Sequence, residues 1–121
     1  MKVLMALKAS HKKVLTETNF EHVGELKKVL ASDEFDGARV LYAITNPQKT
    51  EIVYIGETEQ GRDVRGRLKA HMKDRDKVGL VEENSDVYIH MMVTEYFVLD
   101  TFEQLNGSLP ILNKKKAQKH V

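Results

Sequence analysis

Two short apolar segments separated by a turn-forming stretch constrain the fold of this chain more than any other feature. The segments span about residues 39–45 and 51–56, and Asn46-Pro47-Gln48-Lys49 lies between them. Because proline and asparagine favour turns and the flanking residues favour strands, the pattern predicts a β-hairpin. Each predicted strand carries one tyrosine, Tyr42 in the first and Tyr54 in the second. A single tyrosine in a strand is usually a packing residue, so neither predicts chemistry alone.

Hydrophobic periodicity predicts the other elements. Helical spacing of apolar residues predicts three helices, over about 20–30, 63–74 and 94–105. Strict alternation of apolar and other residues predicts a further strand over about 86–93. Residues 1–18 have an ambiguous pattern, and it predicts a short strand at 2–7 followed by a polar, basic connection.

The order of these elements favours a mixed α/β fold of the α+β type. From residue 39 onward it is strand, strand, helix, strand, helix, which predicts a small three-stranded antiparallel sheet flanked by helices. Residues 1–38 would pack an accessory strand and helix on this 39–121 core, within one compact domain that ends in a basic tail.

The size and composition of the chain exclude several classes of protein. A length of 121 residues leaves room for one domain, and a formal net charge of +1 neither requires nor excludes a nucleic-acid partner. There is no cysteine, so disulfides and thiolate metal sites are excluded, which fits a reducing cytoplasm. The apolar run at the N-terminus is too short for a signal peptide or a membrane span, so we expect a cytoplasmic protein without a membrane partner.

The predicted helix over 63–74 places an arginine and a histidine on one face. Arg67 and His71 are four residues apart, so their side chains lie one helical turn from each other. An arginine suits a phosphate ligand, because its planar fork donates two parallel hydrogen bonds and keeps its charge. The alternative is structural: Arg67 would pair with Asp63, also four residues away, and His71 would lie at the boundary of the core.

Glu95 is the least expected residue on the predicted helix over 94–105. It falls on the stripe of Val98, Leu99 and Phe102 that should be buried, where a carboxylate is costly unless it is paired or bound to a cation. One explanation is a first-turn acid stabilised by the helix dipole. The other is a ligand for a hard divalent cation such as Mg2+, which takes one or two carboxylates. The position alone leaves both explanations open.

Taken together, these segments resemble the GIY-YIG endonuclease superfamily over residues 39–113, about three-fifths of the chain. Five elements occur in the family order at compatible spacings, which makes the match more specific than any one of them. They are Val40-Leu41-Tyr42, Tyr54-Ile55-Gly56, Arg67-Leu68-Lys69-Ala70-His71, Glu95 with its apolar stripe, and Pro110-Ile111-Leu112-Asn113. The resemblance implies metal-dependent cleavage of DNA, as in the small stand-alone endonucleases of phages and bacteria, and implies that Asn113 supports the pocket.

The resemblance also implies a role for each of the other matching side chains. Glu95 would hold one divalent cation, Mg2+ or Mn2+, that polarises the scissile phosphate. Tyr42 would be the general base for the attacking water, directly or through solvent. Arg67 would stabilise charge on the phosphoryl oxygens, while Tyr54 and His71 would orient or assist the base.

Two departures from the family pattern bear on these roles. Val40 stands where a glycine is usual in the first motif. An insertion over 103–108 separates the helix that carries Glu95 from Pro110-Ile111-Leu112-Asn113, which we call the closing segment. Because of this insertion, Asp100 and Glu103 are rivals to Glu95 as the cation ligand. Glu95 is preferred because the apolar residues three, four and seven positions later match the family pattern.

Basic residues near these motifs are candidates for contacts with the DNA backbone. They are Arg65, Lys69 and Lys73 on the predicted helix, and Lys114, Lys115 and Lys116 in the tail. For each of them the alternative is an ordinary solvated surface charge. We expect double-stranded DNA as the partner, and a protein with one site needs two visits or a homo-oligomer to cut both strands. The competing interpretations are a module of the same fold that binds nucleic acid or a host protein without cutting, and a small regulatory protein whose motif match is accidental.

Overall fold

A four-stranded antiparallel sheet is the central layer of the computed structural model. The structure describes residues 7–34, 40–58, 64–74, 79–90 and 95–113, and for Glu95 and Tyr96 it describes the backbone alone. The elements in chain order are α1 (Ala9–Glu17), β1 (Glu21–Glu25), α2 (Leu26–Leu30), β2 (Leu41–Thr45), β3 (Ile52–Glu57), α3 (Val64–Lys73), β4 (Asp86–His90) and α4 (Glu95–Asn106). The predicted α+β class is confirmed, with four strands in the sheet instead of three.

The predicted hairpin forms an inner strand and one edge of this sheet. The strand order is β1-β4-β2-β3, and β2 pairs antiparallel with both β3 and β4. Every residue of β2 is buried, as expected for an inner strand covered on both faces. Across the β2–β3 pair, Tyr42 lies opposite Gly56, and Ile44 lies opposite Tyr54. Because side chains alternate along a strand, both tyrosines project from the same face.

Helices cover both faces of the sheet and build two separate hydrophobic cores. On the first face, which we call the α1/α4 face, the buried helical residues are Val14, Leu15, Val98, Leu99 and Phe102. On the second, the α2/α3 face, they are Leu26, Val29, Val64 and Leu68. Both hairpin tyrosines belong to the second core. The predicted site residues of the hairpin and of α3 therefore meet on the α2/α3 face.

The prediction of a polar connection before residue 20 is wrong, because Ala9–Glu17 form helix α1. Two buried side chains of this segment are polar, His11 in the helix and Thr18 at its C-cap, and this conceals the helical spacing in the sequence. Both find partners where they are buried: Nδ1 of His11 accepts a hydrogen bond from the amide of Ile52 at 2.9 Å. The hydroxyl of Thr18 donates to the carbonyl of Val14 at 2.6 Å. The strand predicted at 2–7 lies, but for its last residue, outside the described residues.

The predicted helix over 20–30 is correct only in its second half. Glu21–Glu25 form β1, which pairs antiparallel with β4, and only Leu26–Leu30 is helical. Phe20 packs into the core of the α1/α4 face and Val23 into the opposite core, so they do not share a helical stripe. Gly24 has a φ of +126° at an irregularity in the pairing, a backbone angle that L side chains rarely adopt. This backbone angle is incompatible with a continuous helix, and the glycine that adopts it allows the chain to pass from β1 into α2.

The remaining elements agree with the sequence to within a few residues. Helix α3 falls inside the predicted 63–74, and α4 ends at Asn106, one residue later than expected. The strand predicted over 86–93 is described as far as His90, and residues 91–94 lie outside the described part. None of the helices in the described ranges combines the length and apolar composition needed to cross a membrane.

A buried carboxylate ties β1 and the hairpin turn to the start of β4. The side chain of Asp86 is fully buried, with Oδ1 3.1 Å from Nε2 of His22 and 3.6 Å from Nζ of Lys49. Lys49 also pairs with Glu25 at 2.7 Å. On the same side of β4, burial and the Asp86 carboxylate raise the pKa of Tyr88 to about 12. Tyr88 is therefore a neutral phenol at physiological pH, and its hydroxyl has no hydrogen-bond partner among the described residues.

The His11–Ile52 hydrogen bond makes the stability of the fold depend on pH. Nδ1 of His11 can accept the Ile52 amide only while it is unprotonated, and burial, followed by the charge of Lys8, lowers the pKa of this imidazole. Its contribution to the free energy of unfolding is fully present above the ordinary histidine pKa of about 6.5. It is lost as the pH falls from there through the lowered folded-state pKa.

We therefore expect the free energy of unfolding to fall as the pH is lowered below about 6.5, by at most about 1.4 kcal/mol per pH unit from this group. Urea unfolding of the wild type and of His11→Gln across this range measures it. The difference in slope between the two proteins isolates the contribution of His11. Equal slopes for the wild type and His11→Gln would contradict the assignment.

Candidate active site

Three aromatic side chains join the hairpin to α3 on the α2/α3 face. Oη of Tyr42 lies 2.6 Å from Nε2 of His71, a short hydrogen bond between two buried side chains. The ring of Tyr54 lies against the imidazole, with ring centroids 4.4 Å apart and an interplanar angle of 54°. The centroids of the two tyrosine rings are 6.1 Å apart. Three of the predicted site residues are therefore brought together, and we call them the aromatic triad.

Burial differs among the three members of the aromatic triad. Tyr42 is fully buried, His71 keeps 6% of its surface exposed, and Tyr54 is half-buried. Solvent therefore meets this cluster at Tyr54 and at the edge of His71. If the imidazole carries its proton on Nδ1, Nε2 accepts a hydrogen bond from the Tyr42 hydroxyl. If the proton is on Nε2, this nitrogen donates a hydrogen bond to Oη of Tyr42. In either case one proton can move between the two groups, an arrangement suited to general base chemistry.

Gly56 is a further residue of this site, and the sequence motif that contains it does not show its role. A Cβ atom at this position would lie 2.6 Å from Cε2 of Tyr54, 2.8 Å from Oη of Tyr42 and 2.9 Å from Cζ of Tyr42. The absence of a side chain here is what allows both rings to lie over β3. A glycine inside an otherwise apolar strand is the sequence signal of such a close approach.

Arg67 lies one turn before His71 on α3, on the same side of the helix. It is half-buried, as expected for a residue at the border between the core and the surface. Asp63, the alternative partner considered for Arg67, lies outside the described residues. The guanidinium is thus carried by the helix that also presents the histidine of the aromatic triad.

A basic row follows the outer side of α3. Arg65, Lys69 and Lys73 succeed one another at four-residue spacing, so they line one side of the helix. Lys69 and Lys73 are exposed and Arg65 is half-buried. We call these three residues the basic face of α3. The other predicted DNA contacts, Lys114, Lys115 and Lys116, lie outside the described residues.

Asn113 holds the backbone of β3 beside the aromatic triad. Its Oδ1 accepts a hydrogen bond from the amide of Ile55 at 2.9 Å, and its Nδ2 donates to the carbonyl of the same residue at 2.8 Å. Ile55 lies between Tyr54 and Gly56, so this double hydrogen bond fixes the stretch of strand that carries both. Asn113 therefore positions the site through main-chain contacts.

Glu95 is the first residue of α4, at the helix start where the sequence places it. Its side chain is outside the described part of the structure, so its role as a cation ligand stays a prediction. The rivals Asp100 and Glu103 lie further along the same helix. The carboxylate of Asp100 accepts a hydrogen bond from Nε2 of Gln104 at 2.7 Å. This local bond gives Asp100 a structural use on the helix surface.

Among the side chains that the structure describes, no group of three or more histidines and acids is placed to hold a metal ion. Mg2+ often binds proteins through one or two carboxylates and completes its shell with water and substrate phosphate. A single carboxylate at Glu95 would therefore suffice for such a cation.

Comparisons of the chain with protein-family models, with curated proteins and with solved structures find no match. The observations that bear on the function of this chain are therefore its motifs and the geometry of the aromatic triad.

Proposed function

We propose that this chain is a metal-dependent endonuclease that hydrolyses phosphodiester bonds in double-stranded DNA through a GIY-YIG site. The observation that carries the proposal is the buried hydrogen bond between Tyr42 and His71, with Tyr54 packed against the imidazole. These residues come from three of the matching segments, and the site requires them on one face of the sheet. A cytoplasmic protein of a bacterial cell or a phage-infected host fits this activity.

The Tyr42–His71 pair is the proton acceptor in this proposal. The attacking water gives its proton to the pair as its oxygen bonds to phosphorus, and the bond from phosphorus to the leaving oxygen breaks. Because Tyr42 is fully buried, the proton reaches the pair at the His71 imidazole, which keeps some exposed surface. Groups that share one proton act as a unit, so the loss of either has a similar effect.

Arg67 and the basic face of α3 are the proposed phosphate-binding groups. A guanidinium next to His71 can donate two hydrogen bonds to the phosphoryl oxygens and stabilise the charge that develops there. Arg65, Lys69 and Lys73 extend positive charge along the same helix. Such contacts with the DNA backbone make binding weaken steeply as salt concentration rises.

Glu95 is the residue proposed to hold Mg2+ or Mn2+, since oxygen ligands suit both ions. When bound, the cation would supply positive charge next to the scissile phosphate. One site per chain cuts one strand at a time, so a double-strand break requires two visits or a homo-oligomer.

A plasmid-nicking assay with purified protein tests the proposal. We expect nicking of supercoiled plasmid with Mg2+ or Mn2+, none with EDTA, and a loss of about 10²-fold or more in Glu95→Gln, because the cation loses its carboxylate. Asp100→Asn and Glu103→Gln are matched controls on the same helix and should keep full activity. Arg67→Lys, which keeps the charge but loses the planar fork, should also be impaired.

Other outcomes of the assay lead to different conclusions. If activity survives Glu95→Gln and disappears in Asp100→Asn or Glu103→Gln, the cation ligand has been misassigned. If no condition gives nicking while DNA is still retarded in a gel shift, the chain is a binding module with this fold. If the protein neither cuts nor binds DNA, the proposal is wrong.

A further inference from the structure

A threonine directly after β3 is hydrogen-bonded to the backbone just before β2. Thr58 is fully buried, and its Oγ1 accepts a hydrogen bond from the amide of Val40 at 2.9 Å. The amide of Thr58 donates in turn to the carbonyl of Val40, also at 2.9 Å. Both main-chain polar groups of Val40 are therefore bound by one residue, and we call this pair of contacts the Thr58–Val40 clamp.

The Thr58 hydroxyl replaces a main-chain acceptor at the point where β3 ends. The pairing of β2 with β3 runs as far as Leu41 opposite Glu57, so Val40 and Thr58 are the next residues to face each other. In a continued antiparallel ladder, the Val40 amide would donate to the carbonyl of Thr58, as the counterpart of the bond from the Thr58 amide. It donates to the side chain instead, so this buried amide keeps a partner although β3 ends at Glu57.

The clamp lies next to the most deeply buried member of the aromatic triad. Val40 precedes Tyr42 by two positions and packs in the same core, on the α2/α3 face. Thr58 follows Gly56 by two positions, and Gly56 is the residue opposite Tyr42. The ring of Tyr42 lies over Gly56, where an added Cβ atom would be 2.8 Å from Oη. The clamp therefore fixes the separation of β2 and β3 directly beside the pair that carries this ring.

The short hydrogen bond to His71 determines how accurately Tyr42 must be held. Oη of Tyr42 lies 2.6 Å from Nε2 of His71. A displacement of about 0.5 Å would take this distance out of the range of a short hydrogen bond. Because the phenol oxygen is at the end of a long rigid side chain, a small rotation of β2 moves Oη further than it moves the backbone. The position of β2 relative to β3 therefore controls the contact between the two side chains.

We propose that Thr58 is a positioning residue of the candidate active site. Through the Thr58–Val40 clamp it holds Tyr42 at hydrogen-bonding distance from His71, and it acts through β2 without contacting the DNA. Its effect on the nicking rate rests on the proposed nuclease function. Its effect on the Tyr42–His71 contact can be measured without that function.

Two substitutions of Thr58 separate the hydroxyl from the rest of the side chain. Thr58→Val keeps the shape of the side chain and removes the acceptor of the Val40 amide, whereas Thr58→Ser keeps the hydroxyl. We expect kcat for plasmid nicking to fall by about 10–10²-fold in Thr58→Val, with KM for DNA unchanged, because the proton acceptor is displaced and DNA binding is not. Thr58→Ser should restore most of the lost rate.

The NMR resonance of His71 Nε2 measures the contact with Tyr42 directly. It should move in Thr58→Val towards its position in Tyr42→Phe, which lacks the hydrogen bond altogether. In Thr58→Ser it should return to its position in the wild type. If the wild type cuts no DNA and the resonance still moves in Thr58→Val, the proposed function is wrong and the positioning role stands.

Thr45→Val is the matched control at the other end of β2. Thr45 is also fully buried, and its Oγ1 accepts from the amide of Asp86 at 2.8 Å and donates to the carbonyl of Asn46 at 2.9 Å. Its loss should lower stability but leave kcat and the His71 resonance unchanged. Equal effects of Thr45→Val and Thr58→Val, or a wild-type kcat and resonance in Thr58→Val, would overturn the inference. If Thr58→Val does not fold, Thr58→Ser and Thr58→Ala differ by the hydroxyl alone, and equal kcat and resonances in these two would also overturn it.

Discussion

Replacing Tyr42 by phenylalanine is expected to lower the rate of DNA nicking by about 10²–10⁴-fold. The substitution removes only the hydroxyl that lies 2.6 Å from Nε2 of His71 and leaves the ring in the core. The proton acceptor is then incomplete, while the packing of the hairpin is retained. The loss of one buried hydrogen bond should cost about 1 kcal/mol of stability, so the folded protein remains available for the assay.

Tyr88→Phe is the matched control for Tyr42→Phe. Tyr88 is also a buried tyrosine of the same sheet, on β4, but its hydroxyl has no hydrogen-bond partner among the described residues. Removing it should leave the nicking rate unchanged and should not reduce the free energy of unfolding. If both variants lose activity equally, the effect comes from the sheet as a whole and the role of Tyr42 is not supported.

The double variant Tyr42→Phe/His71→Ala separates a shared role from two independent roles. If the two residues act as one proton acceptor, the double variant should be no slower than the slower single variant. If their effects multiply, the two side chains contribute independently, and the proposed relay through His71 is incorrect. Circular dichroism and urea unfolding of each variant show whether the comparison is made between folded proteins.

Gly56→Ala is expected to abolish nicking and to destabilise the fold by about 1–3 kcal/mol. The new Cβ atom would come within 2.6–2.9 Å of the two tyrosine rings, closer than van der Waals contact permits. Both rings must then move, and the hydrogen bond from Tyr42 to His71 moves with them. Activity measured at a temperature where the variant is fully folded distinguishes this displacement from simple unfolding.

Gly66→Ala is the matched control, because it replaces a glycine by alanine at a position where the added Cβ atom meets no neighbour among the described residues. Gly66 is exposed on α3, and beyond its chain neighbours and the helix backbone no heavy atom of the described residues is within 4 Å of the position of its Cβ. Alanine is a better helix former, so stability should rise by about 0.5–1 kcal/mol without a loss of activity. If Gly56→Ala cuts DNA as fast as Gly66→Ala, the close approach of the rings to β3 is not required.

The parts of the fold that were predicted from sequence are those with a local signal. The hairpin, α3 and α4 each have a regular apolar pattern and recognisable turn or breaker residues. Helix α1 was missed because His11 and Thr18 occupy buried positions that apolar residues usually fill. The sequence predicts a helix where β1 forms, because Phe20 and Val23 have helical spacing although they lie on opposite faces of the sheet. This segment forms a strand because it pairs with β4, and no local sequence pattern predicts the strand with which a segment pairs.

The sequence predicts which residues belong to the candidate site but not how those residues contact one another. Motif order points to Tyr42, Tyr54 and His71, but not to the hydrogen bond between the first and the last. The demand for a glycine at position 56 follows only from the overlap of two rings across β2 and β3. The hydrogen bond between His11 and the Ile52 amide has no signal in the sequence, because it joins residues 41 positions apart.

The contacts of the closing segment also limit how copies of this protein can associate. Strand β3 is at the edge of the sheet, where free amides and carbonyls invite a strand from another chain. Here the Leu112 amide donates to the carbonyl of Val53 at 2.9 Å, and Asn113 occupies both main-chain groups of Ile55. The closing segment thus occupies main-chain groups at this edge that could otherwise pair with a strand of another molecule and lead to aggregation. Copies of this protein that associate would therefore do so through a surface other than this part of the β3 edge.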